Sequence, residues 1–245
     1  MKKTKLFLKS GLAIAFMFVS VVAFLFVVGC SKVNENDVRV VANEQMSKVD
    51  TPDSCDLKTF TQGGWGSTPH GNNPGSYLHK NFASAFPNGL VLGCKEGFSI
   101  KLTSAQAVTD FLPCGGKAAV LTQNYTNPTT IKNVLAGQLA AISLSVGFDK
   151  YDANFAGSPL SLELLLINQG PFAGMTIEAV LIEANKALGG CPTTYSLSDL
   201  VSVLTGLNEN FLEGNTNNGL VDCQEGDDIP DDGGDDDGGE PDITK

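Results

Sequence analysis

Apolar periodicity in this 245-residue chain is confined between Cys55 and Cys223, and the segments on either side cannot build a core. The last 21 residues hold ten acids and one base, which is −9 of the net charge of −11. Their Asp- and Gly-rich composition buries too little to offset the cost of ordering, so residues 225–245 are expected to form a disordered acidic tail. Residues 30–54 are polar and aperiodic, as in a tether. The fold therefore rests on residues 55–224, a length that suits one domain with one core. That part is only mildly acidic and gives no basic footprint for nucleic acid.

The first 29 residues are a segment of another kind. Lys2, Lys3, Lys5 and Lys9 surround the start of an apolar run, Gly11 to Val28, and no acid precedes Cys30. Val27-Val28-Gly29-Cys30 closes the run. This order resembles a bacterial lipoprotein signal peptide ending in a lipobox. The resemblance implies that the Cys30 sulfur takes a diacylglyceryl group and that residues 1–29 are removed. Each buried methylene adds about 0.8 kcal/mol, and firm anchoring needs more than one acyl chain. The alternative is an uncleaved anchor, since about 17–25 apolar residues can span a bilayer. The cysteine directly after the run favours the lipoprotein, with the membrane as a partner through Cys30. Ser31, rather than Asp, resembles lipoproteins sent on to the outer membrane or cell surface.

Five cysteines follow: Cys55, Cys94, Cys114, Cys191 and Cys223. An extracytoplasmic compartment permits disulfides. An odd number leaves at least one thiol, and two pairs can be drawn in 15 ways. Cys55 with Cys223 is the preferred pair, because the two bracket the periodic region and domain ends often lie close together. Such a bridge is worth about 4–5 kcal/mol in the chain-entropy model. The alternative is that several are buried free thiols acting as small hydrophobes. No C-x-x-C or close Cys/His cluster points to zinc, and no cofactor motif is present.

Within the domain, Lys58 to Gly66 reads as a short strand entering a glycine-rich turn, and His70 to Tyr77 as a loop. Leu90–Cys94 and Phe98–Thr103 read as a β-hairpin, since Phe98, Ile100 and Leu102 alternate with polar residues. Ser104 can cap a helix over Ala105–Leu112, ended by Pro113. Ile131 to Val146 carries one apolar stripe at helical spacing. Leu160–Ile167 is continuously apolar, and helix and buried strand stay open there. Thr176 can cap a helix stopped by Gly189-Gly190, and Ser196 with Asp199 opens another like a capping box. Asn-Phe recurs at Asn81, Asn154 and Asn210, twice followed by Asn-Gly-Leu (Asn88–Leu90, Asn218–Leu220), at spacings too unequal for a solenoid. The expected fold class is α+β: a mainly helical single domain with a small antiparallel hairpin or sheet near its N-terminal side.

Thr61–Gly66 (T-Q-G-G-W-G), Asn81–Leu90, Gly170–Thr176, Ala184–Gly190 and Asn208–Phe211 together are similar to a recurring bacterial secreted domain. The resemblance spans roughly Cys55 to Cys223 and implies a surface or secreted setting, with no particular activity.

Hydrolase signatures are missing from the sequence: there is no G-x-S-x-G, H-E-x-x-H or P-loop. The two histidines, His70 and His79, flank a glycine-rich stretch at a spacing that fits no metal or triad. Asp110, Asp149, Asp152 and Glu163 could supply a glycosidase carboxylate pair, although nothing in the sequence brings two together. Trp65, His70 and Tyr77 are the candidate ligand contacts, as an aromatic platform for a glycan. The preferred reading, however, places Trp65 in the core, with small neighbours to let it turn. The tail departs from the calcium-loop pattern and reads as a solvated segment. The function expected is a lipid-anchored envelope or surface binding module for a glycan or protein, with a carboxylate-pair hydrolase as the alternative.

Overall fold

A computed structural model of the protein describes residues 55–214 and 217–225. The expected signal peptide, the lipid cysteine Cys30, the tether and residues 226–245 of the tail lie outside the described residues. The described part is mixed α+β and mostly helical, as its periodicity implies. In chain order it runs α1 (Gln62–Trp65), α2 (Pro74–Ala85), β1 (Leu90–Gly93), β2 (Ser99–Leu102), α3 (Ala105–Phe111) and β3 (Tyr125–Thr126). Then come α4 (Val134–Tyr151), β4 (Leu165–Ile167), α5 (Ile177–Gly189), α6 (Leu197–Asn210) and β5 (Val221–Glu225). Short 3₁₀ turns at Leu162–Leu164 and Gly170–Phe172 precede β4 and α5.

The centre is α4. Eleven of its 18 residues are buried, on all sides of the helix. Ala136, Gly137, Ala140 and Ala141 let neighbours come close, and α1, α2, α5, α6 and β1 all pack on it. The expectation of a single apolar stripe beginning at Ile131 is therefore corrected. A helix enclosed by others has no solvent face to keep polar, and it starts at Val134, where the buried Asn133 caps it. Asn133 also donates to the Ala119 carbonyl at 2.7 Å and to the Cys114 sulfur through its backbone N–H at 3.3 Å.

The hairpin forms with Leu90 opposite Leu102 and Leu92 opposite Ile100. Those four residues face the core while Val91 and Lys101 face out, the period-two division a half-buried hairpin needs. An unanticipated strand, β3, pairs in parallel with β2. Helix α5 backs β1, where Asn185 Oδ1 accepts the Gly93 N–H at 2.8 Å. Cys94 and Cys191 form a disulfide across this junction, with Cα atoms 6.4 Å apart. A second sheet joins β4 and β5 antiparallel, and a disulfide links Cys55 to Cys223 with Cα atoms 5.4 Å apart. The bridged pairs lie 168 and 97 residues apart in sequence, so each is worth about 5 kcal/mol in the chain-entropy model. Cys114 is a buried free thiol.

Two local expectations are corrected. Gln62–Trp65 is a turn of helix, capped by Thr61, where a short strand entering a glycine-rich turn was expected. Gly66, which follows it, answers a packing demand: a side chain there would overlap the Leu112 carbonyl. The loop from His70 ends at Asn73, because Asn73 accepts the Ser76 N–H at 2.9 Å and Pro74 occupies the first helical position. Asn-Pro is thus a helix start. Tyr77 consequently sits on α2. Leu160–Ile167, left open between helix and strand, resolves into a 3₁₀ turn and then β4.

Candidate functional site

The 3₁₀ turn Gly170–Phe172, the N-terminal half of α6 and the loop before β5 enclose a cleft of about 550 Å³. That size lies in the range of small-molecule sites. Phe172 forms its buried floor, stacked on Tyr195 with ring centroids 4.6 Å apart. Val203 and Leu220 add aliphatic wall. Gly206 makes room for that wall, since a side chain there would come within 2.7 Å of Leu220 Cδ2.

Amide groups hold the loop in place. Asn217 Nδ2 donates to the Val221 carbonyl at 2.9 Å, and its Oδ1 accepts the Gly219 N–H at 2.9 Å and Asn210 Nδ2 at 2.9 Å. The Asn168 N–H donates to the Leu220 carbonyl at 2.9 Å, tying the loop to the end of β4. Asn-Gly-Leu at residues 218–220 was visible in the sequence as a recurring tripeptide, but its relation to Phe172 depends on the β4–β5 pairing. No local pattern records that pairing.

The polar lining of this cleft consists of Gln169, Asp199, Ser202 and Asn218. Asp199 is its one charged group. One of its oxygens accepts the Ser196 hydroxyl at 2.7 Å, while the Asp199 N–H donates to Ser196 Oγ at 3.1 Å, the N-cap bond of α6. Asn218 Oδ1 accepts the Leu220 N–H at 3.2 Å.

A second cleft, of about 470 Å³, lies beside Met175, Lys186 and Tyr195. Its carboxylate, Glu183, is already engaged: Lys186 Nζ and Thr193 Oγ1 each donate to it at 2.6 Å. The Lys186 ammonium, then the Thr193 hydroxyl, hold the Glu183 carboxyl below the usual carboxylate range. A third cleft, of about 370 Å³, runs along the Cys55–Cys223 bridge past Asp56 and Leu160. Each of the three clefts holds a single carboxylate.

The candidate residues Trp65, His70 and Tyr77 do not assemble a surface platform. Trp65 is 0% exposed, and its indole N–H donates to Ser145 Oγ at 3.3 Å. Phe60, Phe148 and Phe155 surround it with centroids 5.0, 5.2 and 6.2 Å away. The preferred core position of Trp65 is therefore the one observed, and the platform is not. Tyr77 is half-buried on the rim of this cluster, 5.1 Å from Phe148, and its hydroxyl donates to Asp152 at 2.7 Å. Burial, then the Asp152 carboxylate, pushes the Tyr77 phenol well above its ordinary range. His70 is exposed in the loop, and the His79 ring lies 3.0 Å from the Thr109 hydroxyl.

The numbered carboxylates are also engaged. Asp110 accepts from Gln106 at 2.7 Å, and Glu163 pairs with Lys150 at 2.6 Å. Asp149 accepts the Leu162 N–H at 2.9 Å, capping the 3₁₀ turn that Ser161 leaves without a side-chain cap. Burial pushes the Asp149 carboxyl up, and the Glu163 charge adds to this. Asp149 and Glu163 thus feel one another, but neither lines any of the three clefts.

No protein-family model, curated protein or solved structure matches this chain. Among the described residues no helix is long and apolar enough to cross a membrane, and no cluster of three His, Cys, Asp or Glu could hold a metal ion. Two disulfides fit an extracytoplasmic setting.

Proposed function

We propose that the protein is a lipid-anchored binding module of the bacterial cell envelope, held to the outer membrane or cell surface through Cys30. Its folded domain recognises an envelope glycan or protein. The observation that carries this reading is the cleft over Phe172, a preformed concave site with an aliphatic wall and a rim of amide, hydroxyl and carboxylate groups. The apolar run ending in Cys30 supports the anchor, and the two disulfides support the compartment. A carboxylate-pair hydrolase is the second reading. Asp149 and Glu163 meet at one 3₁₀ turn, where Asp149 accepts the Leu162 N–H beside Glu163, and this favours it, while their positions outside the clefts weigh against it.

Intact mass, membrane partitioning and co-sedimentation with isolated, protein-stripped envelopes test the proposal. The natively made protein should have the mass of residues 30–245 plus acyl chains. A Cys30→Ala variant should lose membrane partitioning and still co-sediment through its domain. An unmodified mass, or a Cys30→Ala protein that stays wholly in the supernatant, would remove the corresponding half of the reading.

A further inference from the structure

The geometry points to the cleft between Phe172 and Leu220 as a site for a neutral saccharide, an inference that rests on the binding function proposed above. What separates this cleft from the second one is the state of its polar groups. In the second, Glu183 is consumed by Lys186 and Thr193. In the first, the side chains of Gln169 and Ser202 make no hydrogen bond among the described residues, and Asn218 uses only its carbonyl oxygen. Two carboxamides and a hydroxyl, all solvent-exposed, therefore face a concave surface with donors and acceptors that no protein group occupies. Such groups match a polyol, whose hydroxyls both donate and accept.

Charge narrows the class. Asp199 is the cleft's only ionised group, and among the described residues no Lys, Arg or His lines it. An anionic sugar or phosphate would meet a carboxylate with no compensating cation. A neutral sugar meets no such repulsion, and the carboxylate can accept from its hydroxyls in a charge-assisted bond. The apolar contact is aliphatic, from Pro171, Val203 and Leu220, and suits the C–H face of a sugar ring. Phe172 is closed to a ligand, being 1% exposed beneath Tyr195. This places glycan recognition at the opposite end of the chain from the Trp65 loop, on ordinary polar residues.

The test uses the natively processed, isotope-labelled protein in detergent micelles, with the side-chain amide signals of Gln169 and Asn218 as reporters. The probes are neutral hexaoses (cello-, chito-, malto- and laminarihexaose) and, as a cationic control, spermidine. At least one hexaose should shift both reporters. Ser202→Trp puts a large ring into the mouth from an exposed helix position and should weaken that binding about ten-fold or more. Asn218→Asp provides a second, near-isosteric variant and should also weaken it. Silence across the hexaoses, shifts that persist in Ser202→Trp, or a response to spermidine alone would overturn the saccharide assignment. Envelope co-sedimentation keeps the two readings apart. A Ser202→Trp protein that still co-sediments would sink the cleft's role and leave the binding module standing, whereas failure of the unmodified domain to co-sediment would sink the module itself.

Discussion

The Trp65 neighbourhood and the cleft over Phe172 show opposite relations between sequence and surface. The first is the most conspicuous stretch of the domain, with the only Trp of the chain among three glycines. All of that conspicuousness is spent inward: the ring is fully buried, its N–H is bonded and four aromatic neighbours surround the cluster. The second is assembled from Gln169, Ser202, Asn218 and Asp199, of which only the last two fall in any sequence pattern, and neither pattern pointed to binding, yet it keeps hydrogen-bonding capacity unspent. Glycines beside an aromatic residue therefore report close packing at least as readily as an exposed platform. Binding capacity is better sought in polar groups that the fold leaves without partners.

The largest test of this contrast is Trp65→Ala. Removing a fully buried indole from a ring cluster should cost about 3–5 kcal/mol, read as a lower denaturant midpoint. The lost bond to Ser145 adds to the cavity, because that hydroxyl is buried and keeps only its bond to the Ala141 carbonyl at 3.2 Å. A loss below about 1 kcal/mol, together with loss of ligand binding, would reverse the roles assigned to the two regions.

Much of the secondary structure was legible because its signals are local. Ser104, Thr176 and Ser196 cap the helices that follow them, and the alternation of Ile100 and Leu102 marks the hairpin. Where the outcome depends on distant partners, local patterns misled. Gln62–Trp65 contains two glycines and has poor helix propensity. Gln62, however, is fixed by accepting the Cys114 N–H at 2.9 Å, and the segment packs on α4. The loop before β5 and the β4–β5 pairing join residues about 50 positions apart, as the Asn168–Leu220 bond shows. The cleft stands on that pairing, so it was out of reach of any local reading.

Tyr77→Phe gives a smaller effect, on the rim of the aromatic cluster, and separates its ring from its hydroxyl. The ring contacts to Phe148 and Phe155 remain, so only the bond to Asp152 is lost, worth about 1 kcal/mol or less for a solvent-facing carboxylate. The sign with pH follows from the carboxylate. The Tyr77 hydroxyl, then the Asn154 N–H, hold Asp152 below the usual range in the folded protein. That stabilisation is complete above the unfolded-state pKa and disappears as pH falls through the folded value. The difference between native and Tyr77→Phe melting temperatures should be constant near neutrality and shrink in acid. A difference that grows in acid would mean the hydroxyl matters through another partner.

The smallest effect belongs to Asp149→Asn, one residue beyond Phe148 on α4, where the aromatic cluster meets the carboxylates. Burial pushes the Asp149 carboxyl up in the folded protein, with Glu163 adding to it, so folding favours the protonated form. Charge at Asp149 is therefore a cost that grows as pH rises from the ordinary carboxylate range through the raised folded value. Asn keeps an oxygen to accept the Leu162 N–H and carries no charge. The variant should equal or exceed the native protein in stability near neutrality, and the native protein should gain on it as pH falls through that window. Thermal melts of both proteins from pH 4 to 8 read this directly. A variant less stable at neutrality would show that the 3₁₀ turn requires the full charge of Asp149. If the variant instead abolished turnover of some substrate, Asp149 and Glu163 would become the working pair of an enzyme, and the contrast between a spent core and an unspent cleft would no longer locate the function.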